Sequence, residues 1–406
     1  MHFSLTEKLK GFGPGILMAT AAVGGSHLVA ATQAGALFGW QLIGLIFIVN
    51  LLKYPFFRFG VEYTLVSQKS LIEGYQSLGG MAFYGFLTLN IVAAIVNTAG
   101  VLLLTASLLH FALPFSLPLM TLCYGLLAVC LTILLFGHYK LLDTASKVIM
   151  VLLTLATLAA FIIALTNGAA HPAPAIEPNP YQIAMLGFLV VLMGWMPAPI
   201  EISAINSLWL KAKQRTTDLT KSQGLLDFNT GYVLTAVLAL VFCALGALVQ
   251  YGSSTQIELA GAAFSKQLIE MYTLTIGEWA KHLVSVIAFL CMFGTTLTVL
   301  DGYARTFNES ARLLLKSLPN YSLSALILAQ SGLGLAVIVF FNANLKAMLT
   351  FAMSLAFVTT PLFAWLNLRL MHTIDNAPKG WLKILTLMGL VYLFGFTGVF
   401  LFWQFG

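Results

Sequence analysis

An all-α integral membrane protein of about eleven transmembrane helices, arranged as a 5+5 inverted repeat, is the fold this sequence predicts. Charge is scarce: 8% of the 406 residues are charged and 59% are hydrophobic, with a mean hydropathy of +0.92. A soluble domain carries about 25% charged residues. Apolar runs long enough to span a bilayer, roughly 20 residues each, recur along the whole chain without any β-barrel alternation. Two of them are interrupted at matching places, the first by Val23-Gly24-Gly25-Ser26-His27 and the sixth by Trp195-Met196-Pro197-Ala198-Pro199. Gly and Pro loosen or break the hydrogen-bond ladder that an apolar helix needs in lipid.

The segments follow in order. Residues 12–38 form the first, broken span. Residues 40–66 form the second; its Lys53 and Arg58 are expected to snorkel toward the interface. Span 3 (82–109) carries Asn90 and Asn97 two turns apart, as cavity or interhelical hydrogen-bonding residues. Spans 4 (115–136) and 5 (143–166) follow, with His110 and His138 at span ends. His171 to Pro180 is a rigid linker into the broken sixth span, 181–209. A basic loop, Lys211 to Ser222, leads to span 7 (226–251). The long connection 252–281 is expected to hold a surface helix at Ile257–Tyr272. Span 8 (284–305) carries Thr295, Thr296 and Asp301, the last four residues before its expected partner Arg305. Spans 9 (322–341) and 10 (347–369) follow, with Thr359 and Thr360 beside the kinking Pro361. Span 11 (381–404) is peripheral.

An odd number of spans per unit inverts the second unit, so 12–166 and 181–369 make the two repeats of one polytopic domain. Of the 20 Lys and Arg residues, all but Lys266, Lys281 and Lys346 fall on one side of this plan. That asymmetry predicts a multi-pass cell-membrane protein, of bacterial inner-membrane type, with the N-terminus cytoplasmic and the C-terminus outside. The formal charge of +6 is spent on these loops and implies no nucleic acid. Met1 to Lys10 shows no cleavage-site pattern, and no signal peptide is expected. Cys123, Cys130, Cys243 and Cys291 lie in apolar segments without CxxC spacing and are expected in the core.

Paired broken helices in two repeats point to a transporter's substrate site, because unwound backbone and half-helix ends face the cavity there. The candidate substrate-binding residues are Gly24, Gly25, Ser26, His27, Met196, Ala198 and Pro199. Glu201, an intramembrane carboxylate, and His27 are the candidate proton-coupling groups. Asn90, Asn97, Thr295 and Thr296 are secondary cavity candidates. The bland alternatives are a close helix contact for the glycines, a simple kink for the prolines and core filling for Met196. No HExxH, paired catalytic Asp or Ser-centred motif is present, so an enzyme is not expected, and no cofactor is implied.

Gly13-Pro14-Gly15, the break, and then Gln33-Ala34-Gly35-Ala36-Leu37-Phe38-Gly39 resemble the first helix of the Nramp metal-ion transporters. That family reads Gly-Pro-Gly, Asp-Pro-Gly-Asn and Gln-Ala-Gly-Ala-x-Phe-Gly at the same spacing. Met196-Pro197 resembles the start of its Met-Pro-His-Asn in the sixth helix. The resemblance implies a broken-helix inverted repeat and secondary transport. The departures lie in the metal site: the family's Asp and Asn fall on Gly24 and His27, and its His and Asn on Ala198 and Pro199. With the carboxylate gone, the two glycines are expected to enlarge the cavity and to favour a small organic solute, a carboxylate-bearing one included, carried with protons. The alternative is a proton-coupled divalent-metal (Mn/Fe-type) transporter with His27 and Met196 as ligands.

Overall fold

The protein is described here by a computed structural model covering residues 12–253, 265–270, 273, 277–278, 281–315, 322–341 and 345–405. Met1–Lys10 and most of the expected surface helix Ile257–Tyr272 lie outside the described residues, as do the side chains of His138 and Lys346. The helices are α1 (Pro14–Ala22), α2 (Ser26–Phe38), α3 (Ile43–Ser67), α4 (Leu71–Ser77), α5 (Gly80–Ala112), α6 (Leu119–Asn167) and α7 (Leu186–Trp195). They continue with α8 (Ile202–Gln214), α9 (Lys221–Val249), α10 (Lys281–Leu314), α11 (Ser322–Phe340), α12 (Leu345–Thr373) and α13 (Gly380–Phe405).

Among the described residues, nine helical stretches are long and apolar enough to cross a membrane, and the α1–α2 pair makes a tenth. Helices α7 and α8 divide the remaining sixth segment. Both sequence-predicted breaks are therefore present, and the architecture is the all-α, broken-helix 5+5 inverted repeat. The expected loop between spans 4 and 5 is absent: α6 is helical throughout and contains both apolar windows, Leu119–Phe136 and Leu141–Asn167. The linker Gly137-His138-Tyr139-Lys140-Leu141-Leu142 holds no Pro, and its one glycine costs a helix only about 1 kcal/mol, too little to break the ladder.

The first break is a 48° bend between α1 and α2. Val23 and Gly24 leave the helix, and the chain re-enters through a π-helical stretch, Ser26–Ala31. Pro14 occupies the first turn of α1, where its missing N–H costs nothing. The amides of Gly13 and Gly15 beside it donate to the Asp227 carboxylate of α9 at 3.1 and 2.6 Å. A carboxylate at a helix N-terminus satisfies its orphan donors and complements its dipole. Backbone contact makes this reach possible: a Cβ on Gly231 would collide with the Gly15 carbonyl oxygen. The Gly-Pro-Gly motif is thus the docking end of α1 on α9.

Helix α8 is anchored at its far end by α4. Ser70 and Glu73 form a capping box at the start of α4, and Glu73 also accepts from Lys211 of α8 at 2.6 Å. Burial raises the affinity of the Glu73 carboxyl for its proton, but Lys211 and the Ser70 amide outweigh burial and hold it below the usual carboxylate range. A depressed folded-state value means that this clasp stabilises above that range and weakens as pH falls through it. Asn367 of α12 completes the anchorage, donating to Phe56 O and Ser203 Oγ, each at 2.9 Å, and accepting from Tyr75 OH at 2.6 Å.

Replacing Asp227 with Ala strands two buried amides. The expected cost is about 2 kcal/mol or more, read as a lowered unfolding temperature of the detergent-solubilised protein; Asp227→Asn, which keeps one acceptor, falls between.

Candidate transport site between the broken helices

Each break frees backbone carbonyls, and the structure shows where they go. At the first break, Ala22 O accepts from Ser26 Oγ at 2.8 Å. Val23 O accepts from the Cys291 thiol at 3.0 Å. The Thr295 hydroxyl stands 3.1 Å from Thr20 O and 3.4 Å from Val23 O. At the second break, the last carbonyls of α7, those of Met193 and Gly194, accept from Lys53 Nζ at 2.7 and 3.1 Å. Lys53 is fully buried. The expected snorkelling does not occur, because two helix-end carbonyls satisfy its ammonium inside the bundle.

A small cavity of about 30 Å³ lies between the breaks. Gly25, Ser26, Trp195 and Pro199 line it from the broken helices, and Asn97, Thr295 and Tyr303 from α5 and α10. That volume admits roughly two water-sized groups. The expected enlargement at the glycines is not found. A Cβ on Gly25 would lie 2.6 Å from Trp195 Cζ3, and one on Gly24 would lie 2.8 Å from Thr295 Oγ1. The Trp195 indole stands where a side chain on Gly25 would lie, and Thr295 stands where one on Gly24 would lie.

Two polar atoms on residues lining this cavity have no hydrogen-bond partner among the described residues: Trp195 Nε1, a donor, and Asn97 Oδ1, an acceptor. Behind them runs a polar chain. Asn97 Nδ2 donates to Tyr303 OH at 2.7 Å, and Tyr303 OH donates to Glu201 Oε1 at 3.3 Å. Glu201 stands at the start of α8, buried, and its Oε2 has no partner among the described residues.

The other sequence candidates are placed as follows. His27 is fully buried and engaged at both nitrogens: Nδ1 with Ser26 Oγ at 2.6 Å and Nε2 with Thr235 O at 2.9 Å. Since a carbonyl only accepts, Nε2 carries the proton toward Thr235. Met196 and Ala198 are buried, at 0% and 2% exposure, and are not among the residues lining the cavity. Met196 is joined to Pro197 by a cis peptide bond. Asn90 donates to Thr306 Oγ1 at 2.7 Å, and Thr296 pairs with Thr105 at 2.8 Å, so both serve helix contacts. Asp301 accepts from Arg305 at 2.7 Å, as its spacing predicts, and also from Trp209 Nε1 at 2.9 Å. Thr359 and Thr360 hydrogen-bond back to carbonyls one turn earlier, beside Pro361. Among the described residues, no three His, Cys, Asp or Glu side chains form a group able to hold a metal ion.

The comparisons with known proteins agree with this architecture. No protein-family model matches the chain. It is 52% identical to the uncharacterised protein PM0681 of Pasteurella multocida (strain Pm70), over 98% of this chain and 94% of that one. The chain belongs to the same family as that protein. Among solved structures, the manganese transporter of Eremococcus coleocola in complex with an aromatic bis-isothiourea compound superposes with a TM-score of 0.72 at 13% identity, covering 98% of this chain and 87% of that one. MhsT in complex with L-phenylalanine gives a TM-score of 0.71 at 11% identity, over 97% and 98% of the two chains. At such identities the fold is what is shared, and it is the fold that the Nramp resemblance of the first helix implies.

Sequence reasoning passed over Tyr303 and Asp227, named Trp195 only as a residue of the second break, and read Lys53 as an interfacial side chain. The signal for Lys53 was available: a lone ammonium among apolar residues within a span is as costly as the Glu201 carboxylate.

Gly25→Ala is expected to destabilise the protein by about 1–3 kcal/mol through the clash with the indole. Combining it with Trp195→Phe, which leaves the ring shape smaller, should return part of that loss. Thermal unfolding of the two single variants and the double variant measures the coupling.

Proposed function

We propose that this protein is a secondary active transporter whose cargo binds between the broken helices, and that the cargo is a small polar organic solute. The observation that carries the reading is a donor and an acceptor, Trp195 Nε1 and Asn97 Oδ1, that have no partner among the described residues and belong to two residues lining the cavity at the breaks. A buried polar group without a partner costs about 1–3 kcal/mol, and a ligand offering an acceptor and a donor recovers that cost. An amide, an alcohol or a carboxyl group has this chemistry. A carboxylate would take the Trp195 N–H and forgo the Asn97 oxygen. The cavity is too small for more than a few atoms in this state, which fits a closed stage of an alternating-access cycle.

A divalent metal ion is the second reading, and the likeness to a manganese transporter favours it. The donors favour it less. The polar cavity-lining atoms from Ser26, Asn97, Thr295 and Tyr303 are neutral oxygens and an amide, and a divalent ion without an opposing charge is poorly held at low dielectric. His27 has both nitrogens engaged elsewhere.

Proton coupling through Glu201 belongs to the same proposal. Its support is the unpartnered Oε2 and the Tyr303–Asn97 chain that links the carboxylate to the cavity. Lys53, Tyr75 and Tyr303 are the other ionisable groups acting on it. The basic-residue asymmetry supports a cytoplasmic N-terminus, and fusion reporters at the two ends should report opposite sides of the membrane.

Purified protein in liposomes tests the cargo. Uptake of a small polar solute, found by screening amides, hydroxy acids and amino acids, is expected; Trp195→Phe should raise its KM about tenfold. Saturable Mn²⁺ uptake lost in Met196→Ala would overturn the organic-solute reading in favour of the metal. For the coupling, Glu201→Gln should abolish the response of uptake to an inward proton gradient while leaving exchange of cargo across the membrane.

A further inference from the structure

The C-terminal end of α7 points its unpaired carbonyls into the middle of the bundle. Such an end carries about half a negative charge from the helix dipole. In transporters built on broken helices, this is where a coupling cation is coordinated. Here the position is filled. Lys53 reaches from α3, is 0% exposed, and places its ammonium on the Met193 and Gly194 carbonyl oxygens at 2.7 and 3.1 Å. Among the described residues, no ion pair within 4.0 Å joins Lys53 to a carboxylate. The ammonium thus spends its hydrogen bonds on the helix end itself.

We propose that Lys53 is a tethered cation, standing at the end of α7 in place of a free coupling ion, so that the protein needs no alkali cation there. The proposal rests on the transporter reading for its meaning but not for its test. A second cation at the same end would stand a few ångström from the ammonium and be repelled by it. The tether also fixes α7 to α3, so the charge that neutralises the helix end remains with the protein throughout the cycle.

The experiment is thermal unfolding of the purified, detergent-solubilised protein in NaCl, LiCl, KCl, methylammonium chloride or choline chloride at one ionic strength. The wild type is expected to unfold at the same temperature in all five. Lys53→Ala is expected to unfold about 5 °C lower in choline and to regain part of that loss selectively in Na⁺, Li⁺ or methylammonium, which are small enough to reach the vacated carbonyls. Selective stabilisation of the wild type by an alkali cation overturns the proposal. So does a Lys53→Ala variant that loses the same stability in every salt. If Lys53→Ala does not fold, Lys53→Gln takes the same series, and the wild-type series decides alone if neither variant folds. Liposome uptake by the wild type in choline medium keeps the two readings apart: no uptake under any salt fails the transporter reading, whereas uptake that requires Na⁺ fails the tethered cation.

Discussion

A helix broken inside a bilayer must find partners for its freed carbonyls and amides, because lipid offers none. Helix ends packed inside the bundle make the same demand. The amides at the start of α1, at the opposite end of that half-helix from its break, are met by Asp227 of α9. The carbonyls at the end of α7 are met by Lys53 of α3. The clasps are exchanged between the repeats: the second helix of one repeat holds the broken helix of the other. An intramembrane Asp and Lys are expensive, and each is tolerated because it stands opposite a helix end of the complementary sign.

The same demand explains why the site is neutral. The two strong charges nearest the breaks are engaged with backbone or, for Glu201, set behind Tyr303. What remains on the cavity is an indole N–H, an amide and hydroxyls. Where the Nramp pattern places a carboxylate, this chain has Gly24, with Thr295 pressed close against it, and the neighbouring Gly25 lies under the Trp195 ring. The glycines and the tryptophan belong together: one makes room that the other fills. Discrimination at such a surface comes from leaving wrong partners unpaired rather than from net charge.

Legibility in the sequence followed the range of the interactions. The breaks were readable because Gly and Pro act on their own stretch of backbone. The Asp301–Arg305 pair was readable for the same reason, being one helical turn apart. Partners across 140 or more positions were not: Lys53 with Met193, Gly13 with Asp227, and Asn367 with Phe56. Asp227 falls beside the first residue of the expected span 226–251, where a carboxylate draws no notice. Trp195 was legible only as the first residue of the second break, since nothing in its neighbourhood tells an indole filling a glycine gap from one facing lipid. His27 was legible as a polar residue in a break, but its direction was not: Thr235 turns it toward α9. The loop expected between spans 4 and 5 was drawn from charge and span length, whereas the residues there are compatible with helix.

The relative strengths of these contacts indicate where the molecule parts most cheaply. A hydrogen bond to a charged group contributes about 1.5–3 kcal/mol and a neutral one about 0.5–1.5. The charged bonds tie α1 to α9 and α7 to α3. The bonds from the first broken helix to α10 are the neutral ones of Cys291 and Thr295, whereas α8 is held to α10 by Tyr303 on Glu201 at 3.3 Å and by Trp209 on the Asp301 carboxylate at 2.9 Å. A displacement that keeps α1, α3, α7 and α9 together, leaves α8 with α10 and parts the two groups therefore breaks the weak set and spares the strong one. The cavity lies along that seam, with Gly25, Ser26, Trp195 and Pro199 on one side and Asn97, Thr295 and Tyr303 on the other. Parting there opens the unpartnered Trp195 and Asn97 atoms to a solute without exposing the helix-end charges that hold the breaks in shape.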